Sequence, residues 1–346
     1  MSSETSAETT GTDTEAPTPD RIEDRDTGLA RLLTGRSDID FIGRSRRWLY
    51  ISLILVGISL AALLVRGLNF SIEFTGGSSF VEEGATQPFT VDDIEATLDG
   101  FGLDGAIVQI VDGGSGALIS TPAIADVAGV DDLQVARAIE DITGGDVSVS
   151  SIGPRWGQAI TEQALRGLVV FLVLVLLYIT IQFEWRMAVA AGVTLAHDII
   201  VTVGLYALAG FSVSPSTVIA LLTILGYSLY DTVVVFDRIK EDAGKLTSVS
   251  TTSYGQMANG ALNNVMVRSV STSITSLLPV GSLLLIGANL LGAATLSDLA
   301  LALFIGMGVG TYSSLIVAAP VLVWLKEKEP KYAELKQRAA RGGATA

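Results

Sequence analysis

Six stretches of this chain stay apolar long enough to cross a bilayer, and between the first two the pattern breaks into short alternating runs. The long stretches are 48–65, 167–183, 187–209, 213–235, 269–290 and 298–325. A helix needs about 20 mostly apolar residues to cross about 30 Å of hydrocarbon, so each predicts a spanning helix. The first, WLYISLILVGISLAALLV, is preceded by 47 residues and followed by no small-residue cleavage site. It therefore reads as an anchor rather than a signal peptide.

The segment 67–157 carries another rhythm. In NFSIEF (69–74), Phe70, Ile72 and Phe74 alternate with polar residues, the period of a half-buried strand. Gly76-Gly77 predicts a turn and SSFVEE a second strand. Thr90 and Asp93 form a capping-box pattern opening a short helix that buries Ile94 and Leu98. AIVQIV (106–111) and GALIST (116–121) predict strands joined by DGGSG. A helix over 131–142 would bury Leu133, Ala136, Ile139 and Ile142, and DVSVSSI returns as a strand. The order ββαββαβ predicts a two-layer, ferredoxin-like α+β domain.

The chain thus divides into a tail (1–43), a first spanning helix (44–66), an external domain (67–164), five more helices (165–325) and a second tail (326–346). Residues 1–27, rich in Thr, Ser, Asp, Glu and Pro, predict disorder. Leu29, Leu32, Leu33, Ile39, Phe41 and Ile42 predict a short element on the inner membrane surface.

Composition agrees with the pattern. Hydrophobic residues make up 49% of the chain and the mean hydropathy is +0.52, too apolar for an ordinary soluble domain. Arg44, Arg46 and Arg47, then Arg186, then Arg238, Lys240, Lys245 and Arg268, and finally the basic C-terminal tail all fall on one side. Both termini are therefore expected in the cytoplasm and 67–164 outside. The net charge of −14, with six lysines among 22 basic residues, suggests a surface adapted to high salt. An acidic tail plus an acidic external domain would give the same total. With no cysteine and a single histidine, disulfides, thiolate chemistry and a His-cluster metal site are excluded. No nucleotide-binding loop is present, and neither a cofactor, a metal nor nucleic acid is expected.

The chemistry lies in the polar residues inside the apolar runs. Asp231, in GYSLYDTVVVFDR (226–238), sits about 9 Å past the centre of its span. A carboxylate at mid-membrane costs about 2.5–3.5 kcal/mol, so it needs a partner or a proton. Arg268 is the candidate partner, at the head of a segment holding Ser269, Ser271, Thr272, Ser273, Thr275 and Ser276. By the apolar run alone it lies shallower than Asp231, which makes the pairing a long reach. Asp237 and Arg238 read as an interfacial stop. His197-Asp198 lies near the middle of the third span, and neighbours on a helix point about 100° apart, so the two are not expected to face one partner. A proton relay and a structural hydrogen-bonding pair both fit. Gly306 and Gly310 have the GxxxG spacing of close helix packing.

SIEFTGG (71–77), SIGPRWG (151–157), QFEWRMAV (182–189), LAHD (195–198), GYSLYDTVVVFDRIKE (226–241), RSVSTSITSLLP (268–279) and GMGVGTYSS (306–314) occur in the order seen in SecF. Over residues 44–325 the chain resembles that family, the smaller half of the SecD–SecF protein-export complex, in an archaeal and haloarchaeal form judged by composition. The resemblance implies a six-helix RND-type half-bundle with an external ferredoxin-like domain after helix 1. It also implies SecD, a SecYEG-type channel, unfolded secretory chains and the lipid bilayer as partners, and a role in late translocation coupled to the proton gradient. It carries proton-path roles onto Asp231 and Arg268; Tyr230, His197 and Asp198 are further ion-coupling candidates from the residues themselves. Structural motif positions fall on Glu73, Phe74, Thr75, Gly76, Gly77, Gly153, Pro154, Gly226, Asp237, Arg238, Gly306 and Gly310. The chain departs from the family at Tyr230, where bacterial members usually have Asn, and at Glu73, where Asp is common.

The chain is not expected to be an enzyme: a membrane aspartyl protease needs a second acid in a GxGD context, and none is present. A small-molecule RND exporter would carry two halves in one chain. The open alternative is a SecD-binding scaffold in which Asp231 and Arg268 form a structural ion pair.

Overall fold

The structure, a computed structural model, describes residues 39–342 apart from 112–113, 125–126, 128, 248–249 and 290–293. The acidic tail, Leu29, Leu32 and Leu33 and part of the DGGSG turn lie outside them. Among the described residues six helices are long and apolar enough to cross a membrane. They are α1 (Ser45–Val65), α5 (Pro154–Gln182), α6 (Trp185–Ala209), α7 (Pro215–Ala243), α8 (Tyr254–Asn289) and a last span beginning with α9 (Ala294–Ser313). That last span continues through a π-helical turn, Ser314–Ala318, into α10 (Ala319–Lys326). A proline within a helix lacks an amide and presses on the carbonyl four residues back. Pro320 would press on Ile316, inside the widened turn.

Local chemistry sets where the helices start. Gly153 is extended and Pro154 fills the first helical position of α5, where a missing N–H costs nothing. Ser214 and Thr217 form a reciprocal capping box at the head of α7, again with proline first. Helix α8 is longer than its apolar run and carries Pro279 within it. It begins at Tyr254, so Arg268 stands well inside the helix and level with Tyr230 of α7, which the edge of the apolar run does not reveal. Helices α6, α7 and the last span form the centre. In contrast, α5 and α8 turn long apolar side chains outward, among them Leu165, Leu174, Leu177, Leu278 and Leu285.

The external domain is built from β2 (Gly77–Glu83), α3 (Val91–Gly100), β3 (Ile107–Val111), β4 (Gly116–Thr121), α4 (Asp132–Thr143) and β5 (Asp146–Ile152). All strand pairs are antiparallel, in the order β3-β4-β2-β5. This βαββαβ order is the expected ferredoxin-like arrangement. Its core packs Phe80, Ile94, Leu98, Leu103, Ile119 and Ile139 between sheet and helices. The Thr90–Asp93 capping box is present as predicted.

Three expectations are corrected. NFSIEF is not a strand of this sheet: only β1 (Asn69–Phe70) is extended, and it pairs in parallel with β6 (Ser212–Val213) at the head of α7. Ile72–Thr75 is a helical turn, α2. Phe70 and Phe74 meet edge to face with centroids 6.0 Å apart. Their spacing of four suits an alternating strand and a helical turn equally, which is why so short a run is ambiguous. Leu133 is 58% exposed, because the inward face of α4 runs through Val135, Ala136, Ile139 and Thr143. Finally, Phe41 does not lie on a membrane surface but is buried in the bundle. Asn259 accepts from the amides of Phe41 (2.8 Å) and Ile42 (3.1 Å), and Asn263 from that of Ile39 (2.9 Å). The chain after Lys326 forms a further helix, α11 (Pro330–Gly342), whose Tyr332 and Leu335 join the same core.

Candidate functional site

Gly306 and Gly310 set the geometry of the membrane core. A Cβ on Gly306 would stand 2.3 Å from Ile224 Cδ1, and one on Gly310 2.9 Å from Ser228 Cβ. The last span therefore lies directly on α7, as the GxxxG spacing predicts. That contact carries Tyr312, Ser313 and Ser314 to the two intramembrane acids. By contrast, Gly226 has open space around it.

Asp231 is 8% exposed. Ser269 donates its hydroxyl to Oδ1 and Oδ2 at 2.8 and 2.7 Å, and Ser314 donates to Oδ2. The expected ion pair with Arg268 is absent. Arg268 Nη2 instead donates to the Tyr230 hydroxyl at 3.3 Å. The reason is helical phase. Tyr230-Asp231 on α7 faces Arg268-Ser269 on α8, and adjacent residues diverge by about 100°. Asp231 and Ser269 meet inside the bundle, while Tyr230 (53% exposed) and the exposed Arg268 meet outside it.

Below this pair, at the Ala243 end of α7, a cavity of about 770 Å³ is lined by Tyr230, Arg268, Asp237, Arg238, Glu241 and Asn264, among others. Arg238 pairs along its own helix with Glu241 and Asp242, both at 3.1 Å. Asp237 and Arg238 thus border the cavity that leads toward Arg268 rather than simply ending the helix. One turn nearer the sheet domain, Thr311 donates to Ser273 at 2.9 Å and Tyr227 donates to Ser273 at 3.3 Å. Asp231 stands between the cavity and these hydroxyls.

Asp198, 1% exposed, is the second buried acid. Ser228 donates to Oδ2 at 2.5 Å and Ser313 at 2.9 Å. His197 Nδ1 lies 3.0 Å from Oδ1, and its Nε2 lies 2.9 Å from the Tyr312 hydroxyl. One neutral tautomer satisfies both contacts, with Nδ1 donating to the acid and Nε2 accepting from the phenol. His197 and Asp198 reach different residues, Tyr312 and Ser313, in keeping with their divergence on α6, but these two stand adjacent on the last span. Sequence reasoning passed over Ser228, Tyr312, Ser313 and Ser314, although they stand in GYS and in TYSS after the glycines. Their signal was hydroxyl density beside a close helix contact. Among the described residues no cluster of acids and histidines suits a metal.

The remaining motif positions join the sheet domain to the bundle. Gly76 has φ 75° and Gly77 φ 142°. Phe74 packs against the bundle cluster that includes Tyr206, Val213 and Ile224. The Thr75 hydroxyl donates to the Ser71 carbonyl behind it and the Gly76 carbonyl ahead of it, and Glu73 is half-buried on the same turn. A Cβ on Gly157 would lie 2.4 Å from the Phe74 carbonyl, so α5, started by Gly153 and Pro154, presses directly on this turn.

Residues 134–328 match the family described as Protein export membrane protein SecD/SecF, C-terminal, and residues 61–81 match the SecD/SecF GG Motif. Protein translocase subunit SecF of Streptomyces coelicolor is 44% identical over 315 residues, covering 89% of this chain and 82% of that one. The SecF subunit of Mycobacterium tuberculosis is 38% identical, covering 87% and 70%. The crystal structure of SecDF, a translocon-associated membrane protein, from Thermus thermophilus superposes with a TM-score of 0.75 at 31% identity. It covers 85% of this chain, which spans 39% of that longer one. These relatives are bacterial, so the haloarchaeal expectation finds no support in them, and an acidic tail with an acidic domain suffices for the charge. The chain is a multi-pass membrane protein of the SecD/SecF family of protein export proteins.

Proposed function

We propose that this chain is the SecF subunit of a SecD–SecF assembly. It helps unfolded secretory chains through late translocation at a SecYEG-type channel and draws on the ion gradient through Asp231. It is not an enzyme and uses no cofactor. Both termini lie in the cytoplasm, so the cavity beside Arg268 opens inward and the sheet domain stands outside. The outward apolar faces of α5 and α8 suit lipid and the partner's helices, and a Thermus relative in which both halves form one chain supports SecD as that partner.

The carrying observation is that neutral hydroxyls hold Asp231. A guanidinium salt bridge would favour only the ionised acid. A serine hydroxyl both donates and accepts, so Ser269 and Ser314 can cradle a carboxylate and a carboxylic acid alike. Such a cradle permits a change of protonation that a structural ion pair would oppose. In the scaffold alternative Asp231 and Arg268 would form a structural ion pair; that Arg268 donates to Tyr230 instead favours the coupled reading. The guanidinium acts one step away, through Tyr230. A proton crossing 100 mV supplies about 2.3 kcal/mol, roughly a fifty-fold bias on a two-state packing of the helices that carry the external domain.

The test is export of a pulse-labelled secretory protein in cells whose only copy carries Asp231→Asn, with membrane abundance and SecD co-purification measured together. Collapse of export with an intact complex is expected. Normal export would leave a scaffold for SecD as the better description.

A further inference from the structure

Two acids buried in different helices are held by neighbouring residues of a third. Ser313 and Ser314 are both fully buried. Ser313 donates to Asp198 of α6, and Ser314 donates to Asp231 of α7. Their side chains diverge by the same 100° that separates any adjacent helical pair, and α6 and α7 lie on either side of them. Ser228, three residues before Asp231 on α7, is a second donor to Asp198.

Each of the two serines also has a second acceptor. Ser313 Oγ lies 3.2 Å from the Gly310 carbonyl, and Ser314 Oγ lies 3.2 Å from the Thr311 carbonyl. A hydroxyl has one proton to give. While the acid is ionised the serine donates to it; once the acid is protonated the serine can accept from it and donate to its own backbone. The serines stand where the last span passes from α-helix into the π turn, and such turns recur at functional sites because they loosen the regular bonding ladder. Changes at one acid therefore alter the hydroxyl and backbone bonding of the segment that holds the other.

We infer that Ser313 and Ser314 are positioning residues that couple Asp198 and Asp231 through one segment of the last span, so that the protonation state of Asp198 biases that of Asp231. The inference rests on the ion-coupling reading of Asp231. The titratable and charged groups around the two acids are His197 on α6, Tyr227 and Tyr230 on α7, Arg268 on α8 and Tyr312 on the last span. Of these, His197 touches Asp198 directly, while Arg268 is turned to Tyr230.

The sign of each perturbation follows. Removing the Ser314 hydroxyl takes a donor from the Asp231 carboxylate and disfavours its ionised form. Neutralising Asp198 takes away a nearby negative charge and favours that form. Losing the Ser313 hydroxyl weakens the ionised form of Asp198 and acts in the same direction as neutralising it.

The experiment measures export into inverted membrane vesicles under an imposed proton gradient, across a pH series, with the chain in complex with its SecD partner. Ser314→Ala is expected to move the midpoint of the gradient response up by about one pH unit, the worth of one hydrogen bond to a charged group. Asp198→Asn and Ser313→Ala are expected to move it down, although neither residue touches Asp231. Ser313→Thr, which keeps the hydroxyl, should restore the wild-type midpoint. Should Ser313→Ala fail to accumulate, the nearly isosteric Asp198→Asn decides alone. Unmoved midpoints in Asp198→Asn and Ser313→Ala, with the response abolished by Asp231→Asn, would show two independent acids and overturn the inference while leaving the coupling intact. A full gradient response in Asp231→Asn would remove the coupling itself, and the inference with it.

Discussion

Replacing Gly77 with alanine should unseat the external sheet from the membrane helices. Gly77 opens β2 with φ 142°, a conformation closed to side-chain-bearing residues. A Cβ there would lie 2.2 Å from the Thr121 carbonyl and 3.3 Å from Ile72 Cγ2. Relief of the first contact requires β2 to part from β4 at the Ser78–Thr121 pair, where the Thr121 hydroxyl also bonds the Ser78 carbonyl at 3.3 Å. Relief of the second displaces α2, on which α5 rests. Backbone strain of this kind costs about 1–3 kcal/mol, and overpacking a filled site about 1–3 kcal/mol more. The sum, about 2–6 kcal/mol, is a large share of the 5–15 kcal/mol typical of a domain. Gly84→Ala separates the two contributions, since Gly84 has φ 73° but open space around it and should lose only about 1–2 kcal/mol. Gly100→Ala, on a helix end with open space, should be near neutral. Hydrogen exchange of the full chain in lipid nanodiscs, read on the β2 and β4 amides, ranks the three. Equal protection in Gly77→Ala and Gly84→Ala would refute the steric argument.

Other perturbations have equally definite outcomes. Glu82 is fully buried in the sheet domain, and burial raises its carboxyl pKa above the ordinary 4.5, partly offset by the Thr143 hydroxyl and the Ala117 backbone. A raised acid gives its full stability below the unfolded pKa and loses it as pH climbs through the folded one. Urea unfolding of the sheet should therefore weaken from about pH 4 toward neutrality, and Glu82→Gln should flatten that slope and gain about 1–3 kcal/mol at pH 7. Asn259→Ala takes the Ile42 amide's acceptor and one of the two acceptors of the Phe41 amide, and removes a donor from the Ile39 carbonyl. It should free the 39–43 segment to added protease at a cost of about 1–3 kcal/mol, while the six spans remain inserted. Tyr230→Phe removes the acceptor of Arg268; if the phenol relays the guanidinium's influence to Asp231, the variant should alter the gradient response without lowering SecD co-purification.

The helices and the sheet were legible because their signals are long or locally closed. Apolar runs of bundle length, the Thr90–Asp93 box and the alternating strands each name their own structure. NFSIEF was misread because two phenylalanines four apart satisfy both periods. Asp231 was visible as a charge in an apolar run, and Arg268 as its obvious counterion. What a linear sequence does not carry is helical phase between two helices. That phase turned Arg268 onto Tyr230 and handed Asp231 to two serines. The role of Ser313 and Ser314 depends on a contact between α7 and the last span, and of that contact only the two glycines were readable beforehand.

The most direct test of the account is an infrared pH titration of the purified complex in lipid, with spectra of Asp231→Asn and Asp198→Asn subtracted. A buried carboxylic acid band that appears and disappears with pH, and is missing in Asp231→Asn, is the predicted result. A carboxyl at position 231 that stays in one protonation state throughout the range in which export is gradient-driven would contradict the central claim.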